Sequence, residues 1–480
     1  MFEEYSTYSY QDSDNIPNNI DVIIVGSGLV GSFLSAILSK QGLRVLVVDS
    51  TPHPKFSVGE SMIPYLTAVW NGLVKYYNVD LLSTDKIFKD LASRVGVKEN
   101  FGYVYHEEGK KSNPKEMFQH VNPSRSEMHL YRQDVDSYVV NAAIKYGSKF
   151  LFNTKVTDVK SDEEVRVTLS NGSEIRCQYI IDAVGSNSPL AKIFDLRDTI
   201  PKVKTNSSTC YTHMIDVEPF DNVIESEFKT KFHHGTLHHI VEGGWLWVIP
   251  FNNTPESTNP IVSVGFQCSK VPFRRNHPNK VIDLIKSLPD VREQFKNAKE
   301  VRPWVTEPRI QFSSKSCTGN RWSILPHSYG FIDPLYSRGL CTAFDGIKAL
   351  IPKVLQAFNN NDFSVEQFKP LEDLYRKLLK HNDDLVYGSY LSFNHYELWR
   401  NWYSIWNLST RLGEGPTMDS LQIGDFDNFF KNDFKGLMGR HDDRIQDAIS
   451  VMYEVQNESF PLEQGSEKLE NIVKECWEMS

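Results

Sequence analysis

An α/β fold with an antiparallel sheet and a helical C-terminal region is predicted by three observations in this sequence. An apolar run, Asp21-Val22-Ile23-Ile24-Val25, leads directly into Gly26-Ser27-Gly28-Leu29-Val30-Gly31 and a helical stretch to about Lys40. Residues 205 to 270 are strand-rich, and from about residue 345 the apolar spacing becomes helical. With 480 residues the chain can bury a large core, and two or three interleaved lobes are expected rather than one compact domain.

Each element has a physical reason. A strand, a glycine turn and a helix form the context in which Gly26, Gly28 and Gly31 read as a dinucleotide fingerprint, because the helix N-terminus offers free N–H groups to a pyrophosphate. The next strand, Arg44 to Val48, ends in Asp49, a carboxylate placed to accept from an adenosine ribose hydroxyl. Residues 61 to 125 mix helical and strand patterns and read as a cap or insertion. A helix follows Tyr131-Arg132-Gln133-Asp134-Val135-Asp136, and residues 150 to 176 alternate like a hairpin around Asn171-Gly172. The chain returns to the nucleotide lobe at Tyr179-Ile180-Ile181-Asp182-Ala183-Val184-Gly185.

Inside the strand-rich region stands Gly244-Trp245-Leu246-Trp247-Val248-Ile249-Pro250. Period-two alternation puts Trp245 and Trp247 on one face as a broad indole wall, with Leu246 and Val248 packing behind. The later aromatics Tyr390, Phe393, Tyr396, Trp399, Tyr403 and Trp406 recur at helical spacing, which more often marks helix core than a substrate pocket.

Composition narrows the function. The net charge of -9 is spread along the chain without a Lys/Arg cluster, so nucleic-acid binding has no electrostatic basis. Six cysteines lie far apart with no Cys-x-x-Cys pair, which argues against a zinc site or disulfide framework and for reduced thiols in a cytoplasm. The first nineteen residues are polar and acidic, and the longest apolar runs are strand-sized, so neither secretion nor a transmembrane segment is expected.

Five segments carry a family resemblance. Trp-x-Trp-x-Ile-Pro at 245 to 250 resembles a signature of the flavin-dependent halogenases, as does Phe331-x-x-Pro334-x-x-Ser337-x-Gly339. Lys55 to Pro64, containing Gly59-Glu60-Ser61, is similar to a further segment of these enzymes, and the Arg132 and Asp182/Gly185 segments resemble FAD-binding motifs of the wider para-hydroxybenzoate hydroxylase-like (GR2) class. The resemblance covers residues 20 to about 350.

The resemblance implies halogenation of an electron-rich aromatic ring in secondary metabolism, with reduced FAD, dioxygen and chloride or bromide producing a hypohalous acid. It implies that Gly26, Gly28, Gly31, Asp49, Gly59, Glu60, Ser61, Arg132, Asp182, Gly185, Asp333 and Pro334 hold FAD, and that Ser337, Arg338 and Gly339 hold the halide on backbone N–H groups. Trp245, Trp247, Ile249 and Pro250 then separate substrate from flavin. Lys98, ahead of Phe101-Gly102-Tyr103-Val104-Tyr105, matches the family's lysine that carries halogen to substrate, whereas Lys86 and Lys89 look like solvated face. With no second glycine fingerprint for a nicotinamide, a separate flavin reductase is expected.

Two departures bear on substrate and cofactor. Tyr336 stands where tryptophan halogenases carry a glutamate, which disfavours free tryptophan and favours a phenolic ring, free or tethered to a carrier protein. Pro326-His327 replaces the usual Gly-Asp, so either His327 supplies the ribityl contact or that contact is lost. The expected organisation is a 1–19 tail, a 20–350 FAD-binding domain interleaved with a substrate-binding sheet (about 61–125 and 200–315), and a helical region at 351–480. A flavin mono-oxygenase or desaturase on the same scaffold is the rival enzyme, separated by product mass with and without chloride. A non-catalytic flavin-binding or membrane-docking protein is the rival class, separated by dioxygen consumption.

Overall fold

The computed structural model describes residues 19–122, 127–269, 277–431 and 442–478. Residues 1–18, nearly all of the expected tail, lie outside the described residues.

The nucleotide lobe is a six-stranded sheet in the order Thr318–Gly319, Trp322–Ile324, Tyr179–Asp182, Val22–Val25, Val45–Val48, Lys149–Leu151. All neighbours are parallel except the first pair. Val22–Val25 and Val45–Val48 are continuous apolar runs because helices cover both faces of such a sheet and leave no solvated side. Residues 150 to 176 add more than the expected hairpin. The Asn171-Gly172 turn joins Val165–Leu169 to Glu174–Cys177, Val156–Ser161 completes a three-stranded sheet, and Lys149–Leu151 is instead the edge of the parallel sheet. Gly172 has φ +83°, the left-handed conformation that this turn requires.

The second sheet runs Lys299–Glu300, Ser207–Ile215, Val262–Ser269, Gly244–Pro250, Gly235–Val241, Asn100–Tyr105, Met117–Val121, with Val305–Glu307 also against Ser207–Ile215. Both expected segments, 61–125 and 200–315, therefore contribute to one sheet. It is antiparallel except at one place. Gly235–Val241 pairs parallel with Asn100–Tyr105, a junction of strands from distant parts of the chain whose direction no local turn dictates. Every residue of Gly244–Pro250 is buried, since Trp245, Trp247 and Ile249 join the main core while Leu246 and Val248 face a second core with Leu284, Ile285 and Val291.

The helical region begins earlier than expected. Helix Arg338–Asn360 runs unbroken through the 350/351 boundary and packs against Leu29–Lys40 and Pro64–Tyr77, with the Phe344 ring 4.9 Å from Phe33 and 4.6 Å from Trp70. A domain boundary inside a helix that shares a core with the nucleotide lobe has no physical basis. Helices Pro370–Ser392, Tyr396–Ile423, Asp442–Gln456 and Leu462–Glu478 follow. Phe393 and Trp399 are fully buried and Tyr390 and Tyr403 nearly so, so the aromatic patch is helix core, as its spacing indicated. Tyr105 ties it to the second sheet by donating to the Phe393 carbonyl at 3.1 Å. Among the described residues no helix is long and apolar enough to cross a membrane.

Candidate active site

A cleft of about 1230 Å³ opens where the glycine turn, the second sheet and the start of Arg338–Asn360 converge. Its volume exceeds the roughly 300–1,000 Å³ of ordinary small-ligand pockets, as a dinucleotide requires.

At the nucleotide end, the glycines do three different things. Gly26 sits at φ +101°, and a Cβ there would stand 2.9 Å from the Ala183 carbonyl. A Cβ on Gly31 would stand 2.1 Å from the Gly26 oxygen, so this glycine lets helix Leu29–Lys40 close against the strand. Around Gly28 a Cβ would meet nothing within 4 Å, and as N-cap it supplies no side-chain bond to the helix. The open space and uncapped amides at Gly28 fit a pyrophosphate.

Asp49 lines the cleft, but its carboxylate already has partners. Oδ2 accepts from the Ser27 amide at 2.7 Å and the Ser27 hydroxyl at 2.8 Å and pairs with Lys55, while Oδ1 accepts from the Thr51 amide at 3.0 Å. Burial disfavours its charge, yet Lys55 and the amides prevail and hold its pKa below the ordinary carboxylate value. Arg132 also lines the cleft, clamped by Asp136 at 2.7 and 2.8 Å and donating to the Val58 carbonyl at 2.6 Å and the Gly59 carbonyl at 3.3 Å. It thereby shapes the Gly59-Glu60-Ser61 turn.

Three expected cofactor residues turn out to build the walls. Asp182 is fully buried and accepts from Ser188 Oγ (2.6 Å), the Val184 amide (2.9 Å), Ser328 Oγ (3.0 Å) and the Leu190 amide (3.1 Å), so it braces the loop carrying Gly185. Asp333 accepts from Ser207, Gln267 and Tyr390 at 2.8, 2.9 and 3.0 Å, and is not among the cleft-lining residues. Glu60 lines the cleft but binds His213 Nε2 at 2.8 Å. Asp182 and Asp333 lie outside the cleft lining with their oxygens filled from within the fold, so each is a brace, which corrects the expectation that these two side chains contact the cofactor. Sequence reasoning missed Arg197, which lines the cleft, donates to the Ser186 carbonyl at 2.9 Å and lies 4.3 Å over the Phe312 ring. A lone arginine outside any motif gave no signal.

At the far end Trp245, Trp247 and Ile249 line the cleft, with the two indole rings 5.5 Å apart. Pro250 does not line it, and its carbonyl accepts from His129 Nδ1 at 2.8 Å instead. Pro334 and Leu340 complete the floor. His327 lines the cleft beside Gly339, and burial lowers its pKa to about 4, leaving a neutral ring.

Tyr336 and Ser337 occupy consecutive left-handed conformations, φ +66° and +55°, immediately before helix Arg338–Asn360. Two strained residues in a row aim the first-turn amides of Arg338 and Gly339 without an intrahelical acceptor. The Arg338 side chain points elsewhere, into a buried ion pair with Glu414. Tyr336 is packed in the core, its ring stacked 4.0 Å from Trp406 and its hydroxyl 2.5 Å from Ser389 Oγ.

Lys98 is buried, on strand Gly96–Lys98 opposite Glu127. Its Nζ donates to Ser61 Oγ at 2.5 Å and to the Met62 carbonyl at 2.6 Å, and lies 3.5 Å from the Phe101 ring centre. Burial drives its pKa well below the ordinary amine value, against the opposing pull of Glu127. Ser61, which lines the cleft, stands between Lys98 and Ser337, whose hydroxyl donates to it at 3.0 Å. Lys86, by contrast, pairs with Asp90 at the surface, at 2.5 Å.

A Rossmann-type lobe with an open pyrophosphate turn, facing a second sheet across one cleft, defines a flavoprotein of the GR2 class. The lycopene cyclase protein family model matches residues 21–215. The chain is 42% identical over 409 residues to the monodechloroaminopyrrolnitrin halogenase PrnC of Pseudomonas fluorescens, covering 83% of this chain and 72% of the relative. It is 37% identical over 421 residues to the tetracycline 7-halogenase of Kitasatospora aureofaciens, covering 84% and 75%. The crystal structure of a mutant of the halogenase PltM in complex with FAD superposes with a TM-score of 0.90 at 33% identity, over 96% of this chain and 97% of that one. The chain belongs to the flavin-dependent halogenase family. It is an oxidoreductase that uses FAD and halide on an aromatic substrate.

Gly28→Val is expected to abolish FAD binding while the ligand-free protein keeps its melting temperature, because the new side chain meets only cleft space. Gly31→Ala is expected to cost about 1–3 kcal/mol of stability, because its Cβ collides with backbone. Flavin fluorescence quenching and thermal melts of the two variants separate the effects.

Proposed function

We propose that this enzyme halogenates a phenolic ring, with Lys98 carrying the halogen from the flavin cleft to substrate. The observation that supports it is the buried amine of Lys98, its pKa pulled well below the ordinary value by burial, joined to the cleft by Ser61. As a neutral amine, Lys98 forms an N–halogen bond with a hypohalous acid, and the displaced hydroxide leaves as water with one amine proton. The ring carbon then takes the halogen, and the ring's proton returns to the nitrogen. FAD supplies the oxidising chemistry when bound.

Around that step, Gly26, Gly28, Gly31, Asp49, Gly59, Arg132, Gly185 and Pro334 hold FAD directly, with Glu60, Asp182 and Asp333 bracing the loops that touch it. The Arg338 and Gly339 amides bind chloride or bromide at the turn shaped by Ser337. Trp245, Trp247 and Ile249 close the cleft against substrate, and His327 takes the ribityl contact as a neutral donor. A phenol is favoured by Tyr336 in place of a glutamate and by the PltM complex with phloroglucinol, which superposes with a TM-score of 0.87 at 33% identity. The enzyme works in the cytoplasm beside a separate flavin reductase, and the described residues before and after the start of helix Arg338–Asn360 share one core.

Incubation with a flavin reductase, bromide and a panel of small phenols is expected to give brominated products with paired isotope peaks. Hydroxylated products without halogen would overturn the reading in favour of a mono-oxygenase.

A further inference from the structure

Behind Lys98 runs a chain of buried hydrogen bonds whose direction can be worked out atom by atom. Ser61 Oγ accepts from Lys98 Nζ at 2.5 Å and from Ser337 Oγ at 3.0 Å, which fills both of its lone pairs. Its own proton therefore goes to Thr236 Oγ1, 2.8 Å away. Thr236 Oγ1 lies 3.0 Å from His129 Nε2, and His129 Nδ1 lies 2.8 Å from the Pro250 carbonyl. A carbonyl only accepts, so Nδ1 carries the proton. A neutral imidazole has only one, so Nε2 accepts from Thr236. Burial drops the His129 pKa to about 3, consistent with that neutral ring.

The direction matters at Lys98. A neutral amine has two N–H bonds and one lone pair. With Ser61 Oγ and the Met62 carbonyl both accepting, the two N–H bonds are used and the lone pair is free. Were the chain reversed, Ser61 would donate to the amine and cap the lone pair. His129 decides between these arrangements, because its Nε2 is the acceptor that draws the Thr236 proton away from Ser61.

We propose that His129, its tautomer held by the Pro250 carbonyl, is a positioning residue for halogen transfer: through Thr236 and Ser61 it keeps the Lys98 lone pair open. The proposal rests on the reading of Lys98 as halogen carrier. It also gives Pro250, which does not reach the cleft, a task of its own.

The first test uses the unaltered protein, labelled with ¹⁵N-histidine, the His129 signals being assigned by their loss in His129→Gln. At neutral pH a protonated Nδ1 and a bare, hydrogen-bonded Nε2 are expected. An imidazolium, or a proton on Nε2, overturns the proposal. The second test measures halogenated product per FADH2 oxidised. His129→Asn, which can reach Pro250 but falls short of Thr236, is expected to lose roughly 10- to 100-fold in that yield with the rate of flavin oxidation unchanged. His129→Gln, long enough to offer Thr236 an acceptor, is expected to recover most of it, as a purely structural role would not require. Full yield in a folded His129→Asn overturns the proposal, and should that variant fail to fold, the tautomer measurement decides. Regioselective halogenation surviving in Lys98→Ala would instead overturn the reading of Lys98, whatever tautomer His129 shows.

Discussion

Lys98→Ala is expected to lower regioselective halogenation by about 10²- to 10⁴-fold, the range seen when a positioned proton-handling side chain is lost, while flavin oxidation proceeds at its usual rate. Hypohalous acid formed in the cleft then escapes, so very reactive phenols are still halogenated in solution without regiochemical preference. Product regiochemistry and released oxidant, measured together, check the result. Full, regioselective yield would reduce Lys98 to a structural lysine. Lys98→Met separates chemistry from folding. Burial lowers the pKa of Lys98 in the folded chain relative to the unfolded one, so the wild-type lysine costs stability at any pH below the ordinary amine pKa of about 10.4, the cost growing as pH falls toward its lowered folded value. An uncharged side chain of similar length removes that cost, and thermal melts near neutral pH are expected to show Lys98→Met no less stable than wild type while it is equally inactive.

Trp247→Ala is expected to cost ~3–5 kcal/mol, the usual loss when a buried aromatic is truncated. The Trp247 indole fills the space over Gly265, where a Cβ would stand 2.1 Å from the ring, and donates to Ser263 Oγ at 3.2 Å. Gly265 has no side chain to take up that space, so the cavity opens onto the cleft. Substrate and water then reach the flavin, and more hydrogen peroxide and some hydroxylated product are expected per flavin oxidised. Trp247→Phe, which keeps most of the ring volume, is the control. Denaturation midpoints report the first effect and peroxide yield the second. Unchanged coupling in a folded Trp247→Ala would leave the indoles as strand packing. The reverse substitution, Gly265→Ala, is expected to displace the indole and raise peroxide as well.

The parts of this fold that local sequence controls were legible in it. Val22–Val25, the glycine turn and the helix to Lys40 follow from apolar continuity and from the backbone freedom of Gly26, and they appear where expected. The alternation at 245 to 249 correctly assigns the two indoles to one face and Leu246 and Val248 to the other, because a strand's side chains have period two whatever their surroundings. The motifs sufficed to place the chain in its family. Thr236 and His238 carried a weaker signal, two polar groups at alternate positions of strand Gly235–Val241, which put them on one face, while the adjacent His239 falls on the other.

What the sequence did not carry is which partner each polar group finds. Asp182, Asp333 and Glu60 matched cofactor motifs, yet the carboxylates of Asp182 and Asp333 are filled by partners that include Ser188 and Ser207, 6 and 126 positions away, and Glu60 binds His213, 153 positions away. Lys98 looks in sequence like a lysine beside a surface turn. It becomes a buried amine only because strands Gly96–Lys98 and Glu127–His129 pair under the turn at Ser61. The chain from Ser337 through Ser61 and Thr236 to His129 joins four distant segments, and no periodicity within any one of them encodes it. Secondary structure answers to neighbours in sequence, whereas burial, pKa and the direction of a hydrogen bond answer to neighbours in space, and those exist only once the two sheets and the helix at Arg338 have closed around one cleft.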